Sequence, residues 1–177
     1  FPKWWRDPNL GGGQLIEQSI HIYDLARHFF GEPAIVTAFA DNLNHHRFAD
    51  YKVDDVSAST IRFKNGGIAS LCASNCDAPK SGSITFSVQC ENVAVEFRRF
   101  DEATFRIHGN KIADEIDRGE GKLEVVDVKG DKNPYEELSA NFVAAIRENA
   151  PLRSSIDDGV NSLRLVLAAS QSAKQNG

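Results

Sequence analysis

Three consecutive glycines, Gly11 to Gly13, open the segment that most constrains how this chain can fold. After them, apolar residues recur at the three- and four-residue spacing of one helix face. Gly31 and Pro33 then give the usual signals for the end of a helix. The sequence therefore predicts an amphipathic helix from about Gly13 to Phe30, whose apolar face must pack against a second layer. The apolar positions are Leu15, Ile22, Leu25, Ala26, Phe29 and Phe30.

The polar residues of the same segment are candidates for acid–base chemistry. Glu17, His21 and Asp24 follow one another at intervals of four and three residues, so a helix places them along one face. A carboxylate beside an imidazole can share a proton-transfer task, and histidine titrates near neutral pH. His28 continues the stripe, however, so a solvated polar face with a weak pair between Glu17 and His21 explains the pattern equally well.

The middle of the chain alternates between apolar and polar residues in short runs that are typical of β-strands. Lys64 to Gly67 indicates a hairpin turn between two of these runs. Asn133 with Pro134 marks the start of a second helix, and Ser155 to Asp158 resembles a capping box for a third. This order predicts an α+β fold with a mostly antiparallel sheet. We expect strands at residues 34–42, 56–63, 68–75, 83–90, 93–97, 103–108 and 122–128.

One predicted strand indicates which kinds of side chain line the second face of the sheet. In residues 83–90, Ile84, Phe86, Val88 and Cys90 fall on one side, and the positions between them are small and polar. A sheet that helices cover on one side leaves its other face to solvent or to a partner. The pattern fits a solvated face and a polar dimer interface equally well.

Composition and charge exclude several classes of protein. The 177 residues suit a single domain, with 41% apolar residues, 25% charged residues and a net charge of −5. We find neither a Lys/Arg cluster nor a long apolar run, and expect no nucleic-acid partner and no membrane association. We recognise no signal peptide, and the odd number of cysteines favours reduced thiols in a cytoplasmic protein over a disulfide framework.

The cysteines give little indication of a metal site. Cys72 and Cys76 would share one face of a strand, but they form no CxxC pattern and have no further ligands at a spacing typical of zinc sites. Together with Cys90, they are interpreted as small buried apolar side chains. We therefore expect no metal.

The glycine triplet does not match a nucleotide-binding signature. The dinucleotide fingerprint requires Gly-x-Gly-x-x-Gly between a strand and a helix, whereas Ile16 occupies the third glycine position and no strand is predicted before Gly11. A flexible entry to the helix is the better interpretation. Cofactor-binding residues cannot be named from this chain, which suggests that it is half of an enzyme.

A few residues outside the helix are candidates for ligand binding. Arg6 can bind an anion through its guanidinium group, and Trp5 can stack on a sugar ring. Alternatively, the two side chains can cover the edge of the core. Asn75 follows a predicted strand, where it can face a pocket or serve in a turn. His45 and His46 are expected at the surface.

Together these motifs resemble the C-terminal domain of the Gfo/Idh/MocA oxidoreductases, the family of glucose-fructose oxidoreductase and inositol dehydrogenase. The specific match is Gly-Gly-Gly-x-Leu-x-(Asp/Glu)-x-x-x-His-x-x-Asp, which the segment from Gly11 to Asp24 fulfils. Further matches are Val53-Asp54-Asp55 before a strand, Phe63 to Gly67, Arg147 to Pro151, Asp157-Asp158-Gly159 and Ala169 to Ala173.

The resemblance implies a fold and a division of labour. It implies an open, mostly antiparallel sheet with helices packed on one face, and a homo-oligomer formed through the sheet. An N-terminal Rossmann domain, absent from this chain, would bind NAD or NADP. Residues 1–177 would then be a single C-terminal domain for substrate binding and oligomerisation.

The resemblance also assigns roles to particular residues. His21 matches the catalytic histidine of the family, and Glu17 stands where many members have aspartate. Asp24 matches a third polar position of the motif, and Trp5 with Arg6 lies in the region that lines the substrate pocket.

The implied activity is hydride transfer between a nicotinamide and a hydroxyl or carbonyl group of a sugar or cyclitol. The full-length protein would be the enzyme, and this chain alone would be inactive. The alternative is a sugar-binding or regulatory oligomerisation module that has kept the scaffold and lost the chemistry.

Overall fold

The computed structural model describes residues 2–77, 84–99, 101–109, 116, 119 and 121–176. The chain divides into two units, one comprising residues 1–78 and 153–177 and the other residues 79–152. In chain order the elements are the 3-10 helix Lys3–Arg6, the π-helical turn Gln14–Gln18, α1 Ile20–Phe30, β1 Pro33–Asp41, the 3-10 turn His45–Arg47, β2 Val56–Phe63, β3 Ile68–Ser74, β4 Phe86–Gln89, β5 Val93–Arg99, β6 Glu102–Ile107, β7 Glu124–Lys129, α2 Pro134–Glu148 and α3 Ile156–Asn176.

The first unit is built on an antiparallel sheet of three strands in the order β1–β2–β3. Burial alternates along β2 and β3, as it does in strands that have one face in the core. The predicted hairpin turn joins these two strands, and Gly66 adopts a φ of 93° in it. At the opposite end of the sheet, Asp41, Val56 and Ser74 are neighbours in register, so the adjoining loops converge there.

Two helices cover the inner face of this sheet. α3 packs mainly on β1, and α1 packs on α3. The backbone N–H of Ala38 donates to Ser172 Oγ at 3.1 Å, which joins β1 directly to α3. The core between the layers consists of Leu15, Tyr23, Ala26, Ala38, Ile61, Phe63, Leu165, Val166, Ala169 and Ala173.

The helix predicted after the glycine triplet is divided in two. Its first part is the π-helical turn, in which the Ser19 N–H donates to the carbonyl oxygen of Gln14, five residues earlier, at 3.0 Å. α1 then runs to the predicted end, where Gly31 has a φ of 76°. Because a π-helical turn holds more residues than an α-helical one, the regular spacing assumed between Glu17 and His21 is interrupted.

The predicted starts of the last two helices are confirmed. Asn133 Oδ1 accepts the Tyr135 N–H at 3.0 Å before α2. Ser155 and Asp158 form a reciprocal capping box before α3: the Asp158 N–H donates to Ser155 Oγ at 3.2 Å, and the Ser155 N–H donates to Asp158 Oδ2 at 2.8 Å.

The second unit contains an antiparallel sheet of four strands in the order β4–β5–β6–β7. The rings of Phe86 and Phe97 stack across β4 and β5 with their centroids 4.2 Å apart, and Val88 and Val95 are buried as the next pair along. Phe86 and Val88 thus share a face as predicted. The start of that predicted strand, at residue 83, lies outside the described residues.

The predicted α+β class, the antiparallel pairing and the helices on one face are confirmed, and the strands are distributed between two sheets. In the first unit the uncovered face exposes Ile35, Phe39 and Ile68, each by more than half. Within the described part of the chain, we find no helix both long and apolar enough to cross a membrane.

Truncating the centre of the first core should destabilise the protein strongly. Ile61 is 0% exposed, so Ile61→Ala should lower the free energy of unfolding by about 2–5 kcal/mol in urea denaturation. Ile68→Ala is the matched control, because Ile68 is 56% exposed on the next strand and should cost clearly less. Equal losses in the two variants would contradict this description of the core.

Candidate active site

The segment that carries the candidate catalytic residues begins in a turn that requires glycine. A Cβ atom on Gly12 would lie 2.4 Å from Ile16 Cβ, which is too close for any side chain. Gly13 has a φ of 71°, and a Cβ atom there would lie 2.6 Å from Val53 Cβ. The glycines therefore let the backbone bend sharply against Val53 before the π-helical turn begins.

Asp54 holds this turn in place from a distant part of the sequence. Its carboxylate accepts the Leu15 N–H at 2.7 Å, and its carbonyl oxygen accepts the Gln14 N–H at 3.3 Å. These bonds satisfy N–H groups that the start of a helix otherwise leaves without partners. Burial raises the pKa of the Asp54 carboxyl above its usual value, and the bond from Leu15 offsets this only in part.

Glu17 lies inside the π-helical turn with an exposed side chain. Its Oε1 accepts the backbone N–H of Gly12 at 3.2 Å. The glutamate is thereby folded back towards the glycine triplet, and its position depends on that turn.

His21 lies in the first turn of α1 and is exposed. Its imidazole forms no hydrogen bond with any residue that the structure describes, Glu17 included, so the predicted pair between the two is not formed. An imidazole that is exposed in this way is available to exchange a proton with a bound molecule.

Asp24 is engaged in a contact between helices. Its carboxylate accepts a hydrogen bond of 2.5 Å from the hydroxyl of Ser162 on α3. Arg27 donates to the same Ser162 Oγ at 2.9 Å and to the carbonyl oxygen of Asp158 at 3.1 Å. Asp24 thus helps to fasten α1 to α3, and its predicted role in substrate binding stays a prediction.

Trp5 and Arg6 gather around Tyr51 instead of projecting together into solvent. Trp5 is 4% exposed and packs edge-on against the Tyr51 ring, with centroids 5.9 Å apart. The Arg6 guanidinium lies 5.9 Å from the Tyr51 centroid and pairs with Asp50 at 3.0 Å. This arrangement agrees with the alternative that the two residues close the edge of a core, and a binding role for them stays a prediction.

Asn75 joins the same group from the end of β3. Its backbone N–H donates to the carbonyl oxygen of Asp55 at 2.8 Å. Its side-chain amide lies beside the Tyr51 hydroxyl, yet neither group completes a well-formed hydrogen bond within the described part of the chain. Burial raises the pKa of Tyr51, and the nearby Asn75 amide counteracts that rise.

The partly buried His45 and the fully buried Asp55 form a pair that the sequence did not reveal. His45 Nδ1 lies 2.7 Å from Asp55 Oδ2, and the His45 ring stacks on Tyr51 with centroids 4.4 Å apart. The Asp55 carboxylate also accepts the backbone N–H groups of Leu43, Asn44 and His45. Burial opposes ionisation, but these bonds outweigh it and lower the pKa of Asp55 to about 2. The sequence signal that could have pointed to Asp55 was the motif Val53-Asp54-Asp55 before a strand. We used that motif only as a match to the family, not as an indication of a site.

Among the described residues we find no dinucleotide-binding unit of the Rossmann type. Both sheets are antiparallel throughout, so they form no βαβ unit in which a helix N-terminus follows a parallel strand. The glycine triplet leads into a turn packed on Val53 and Asp54. We therefore assign no residue of this chain to cofactor binding.

A family profile for the C-terminal α/β domain of an oxidoreductase family, Gfo/Idh/MocA, matches residues 1–177. The chain belongs to this family. No curated protein matches it significantly.

Solved structures similar to this Gfo/Idh/MocA domain share its fold at low sequence identity. A levoglucosan dehydrogenase in complex with NADH and levoglucosan is 22% identical with a TM-score of 0.79, and the match covers 98% of this chain and 52% of that one. The WlbA dehydrogenase from Bordetella pertussis, with NADH and UDP-GlcNAcA, is 17% identical with a TM-score of 0.71, covering 99% and 47%. The aldose-aldose oxidoreductase from Caulobacter crescentus, with glycerol, is 17% identical with a TM-score of 0.73, covering 98% and 49%. The chain thus spans about half the length of these proteins.

Removing the Asp54 cap should weaken the segment that carries Glu17 and His21. Asp54→Ala should lower the free energy of unfolding by about 1–2 kcal/mol, because the Leu15 N–H loses its acceptor. Asp50→Ala, which breaks only the exposed pair with Arg6, should cost less than about 1 kcal/mol. Urea denaturation measures both variants, and a cost for Asp54→Ala no larger than that of the control would refute the capping role.

Proposed function

We propose that the full-length protein containing this chain transfers a hydride between NAD or NADP and a hydroxyl or carbonyl group of a sugar or cyclitol. The carrying observation is the match of the whole chain to an oxidoreductase family. By the motif in the sequence, the exposed His21 corresponds to the catalytic histidine of that family. The similar dehydrogenases solved with NADH and a sugar or sugar nucleotide support this substrate class. A nicotinamide held by another part of the protein would supply the redox chemistry.

In this proposal the chain supplies substrate positioning and proton transfer. His21 takes the proton from the substrate hydroxyl during oxidation and returns it during reduction, which its exposed imidazole permits. Glu17, fixed by its bond to Gly12, orients the hydroxyl beside His21. Neither residue is part of the main core, so both can be substituted without removing core packing.

Replacing the proposed proton-transfer group should reduce turnover without unfolding the protein. In the full-length protein, His21→Gln should lower kcat by roughly 100- to 10,000-fold, measured as nicotinamide absorbance with inositols, aldoses and anhydro-sugars as substrates. His28→Gln is the matched control, because His28 is also exposed on α1 and should leave kcat nearly unchanged.

The result of this assay also separates the two candidate functions. Turnover that is unaffected by His21→Gln would rule out the proposed role of the histidine. Saturable sugar binding without turnover with either cofactor would favour the non-catalytic, sugar-binding or regulatory module instead.

We further propose that the chain forms a homo-oligomer through the uncovered face of its first sheet. Phe39, on the edge strand β1, is 60% exposed on that face. Its cross-strand partner Ala58, and Cys72 next to Ala58 on β3, are small. A bulky apolar side chain beside small ones suits close packing against a second sheet.

A charge on this face should dissociate the oligomer. We expect Phe39→Glu to shift the mass measured by light scattering to that of a smaller species, because burying an unpaired carboxylate is costly. Leu10→Glu, at a residue 69% exposed and outside the sheet, should leave the mass unchanged. An unchanged mass for Phe39→Glu, or a monomeric unaltered protein, would refute an interface at this face.

A further inference from the structure

A second group of chemically reactive side chains lies at one end of the first sheet. His45 belongs to the 3-10 turn between β1 and β2, Asp55 directly precedes β2, and Cys76 follows β3. These segments meet because Asp41, at the end of β1, pairs with the start of β2, which in turn pairs with the end of β3. The topology of the sheet therefore brings the three side chains together from separate parts of the sequence.

The potential ligand atoms of His45, Asp55 and Cys76 all lie within 4.8 Å of one another. Asp55 is 0% exposed and is fixed by three backbone N–H groups, whereas the His45 side chain retains 19% exposure. The Cys76 Sγ atom makes a long 4.0 Å contact with the carbonyl oxygen of Asp55 and also lies near the Ser74 hydroxyl, and the cysteine forms no disulfide. The carboxylate is thus rigid, while the imidazole and the thiol can adjust.

An independent observation points to a missing ligand beside this cluster. Tyr51 is 4% exposed, yet its hydroxyl group completes no well-formed hydrogen bond among the described residues, although the Asn75 amide lies beside it. The Tyr51 ring stacks on His45, and the buried side-chain nitrogen of Asn75 likewise completes no well-formed hydrogen bond within the part of the chain that the structure describes. Buried polar groups normally have a partner, and a water bound to an ion would provide one here.

We propose that His45, Asp55 and Cys76 bind one transition-metal ion, with Zn²⁺ as the best fit. Imidazole nitrogen, carboxylate oxygen and cysteine sulfur are the three ligand types of protein zinc sites, and a set of three leaves the fourth tetrahedral position for water. The thiolate and the carboxylate together balance the charge of a divalent ion, which suits a site with little exposure. The water at the fourth position would accept or donate a hydrogen bond at the Tyr51 hydroxyl.

Binding requires only local rearrangement. Metal–ligand bonds of about 2.0–2.3 Å place neighbouring ligand atoms of a tetrahedral zinc site roughly 3–4 Å apart. His45 Nδ1 would exchange its hydrogen bond with Asp55 for a bond to the metal, and Cys76 Sγ would move inwards by about 1 Å as its proton is released.

Metal titration of the chelator-treated chain tests this proposal. We expect calorimetry to show one Zn²⁺ bound per chain, and Co²⁺ to produce the charge-transfer absorption that arises only when a thiolate binds the metal. Cys76→Ser and His45→Gln should each weaken Zn²⁺ binding by at least about 100-fold, the upper end of the loss seen for residues that merely support metal ligands.

Two controls use residues of the same type nearby. Cys72→Ser and His46→Gln change exposed side chains and should bind Zn²⁺ as the unaltered chain does. Circular dichroism establishes that each variant is folded, and Asp55→Asn is not used because Asp55 also holds the loop. No saturable binding, or equal binding by the Cys76→Ser and Cys72→Ser variants, would overturn the proposal and leave His45 and Asp55 as a structural pair.

Discussion

Two adjacent carboxylates directly before β2 determine where the candidate residues lie. Asp54 and Asp55 are consecutive in the sequence but act on different parts of the chain. Asp54 caps the π-helical turn that carries Glu17, while the carboxylate of Asp55 holds the loop between β1 and β2. The backbone of Asp55 also pairs with Asp41 at 3.0 Å and with Asn75 at 2.8 Å. The entry to the helix and the end of the sheet are therefore fixed from one dipeptide.

The two carboxylates differ in the number of hydrogen bonds that they accept, and their pKa values shift in opposite directions. Asp55 receives three backbone N–H groups and an imidazole, enough to keep it ionised, and its pKa falls to about 2. Asp54 has fewer donors, and burial raises its pKa. A buried carboxylate is costly unless hydrogen bonds replace water, so the loops around Asp55 gain stability only while those donors stay in place.

Features set by neighbouring residues could be predicted from the sequence, and features set by distant ones could not. The hairpin turn at Gly66 and the capping box of Ser155 and Asp158 depend on a few consecutive residues, and both were predicted correctly. The π-helical turn depends on a carboxylate 39 residues away from Leu15, which no helical periodicity reveals. The contact between Asp24 and Ser162 spans 138 residues.

The same reasoning applies to the functional residues. Spacing alone identified Glu17 and His21 as candidates, but it could not show that the Glu17 carboxylate bonds to the Gly12 N–H instead of to the His21 imidazole. His45, Asp55 and Cys76 come together because the register of the sheet aligns three loops. The expectation of no metal considered only the spacing of ligands along the sequence, which does not reveal such a cluster.

The central claim, that His21 acts on a bound sugar, is tested most directly by a crystal structure of the full-length protein with a nicotinamide cofactor and a sugar that it turns over. The account predicts a ring nitrogen of His21 within about 3.2 Å of the reacting hydroxyl, with Glu17 contacting the same sugar. A sugar bound with its reacting hydroxyl away from His21 would contradict it.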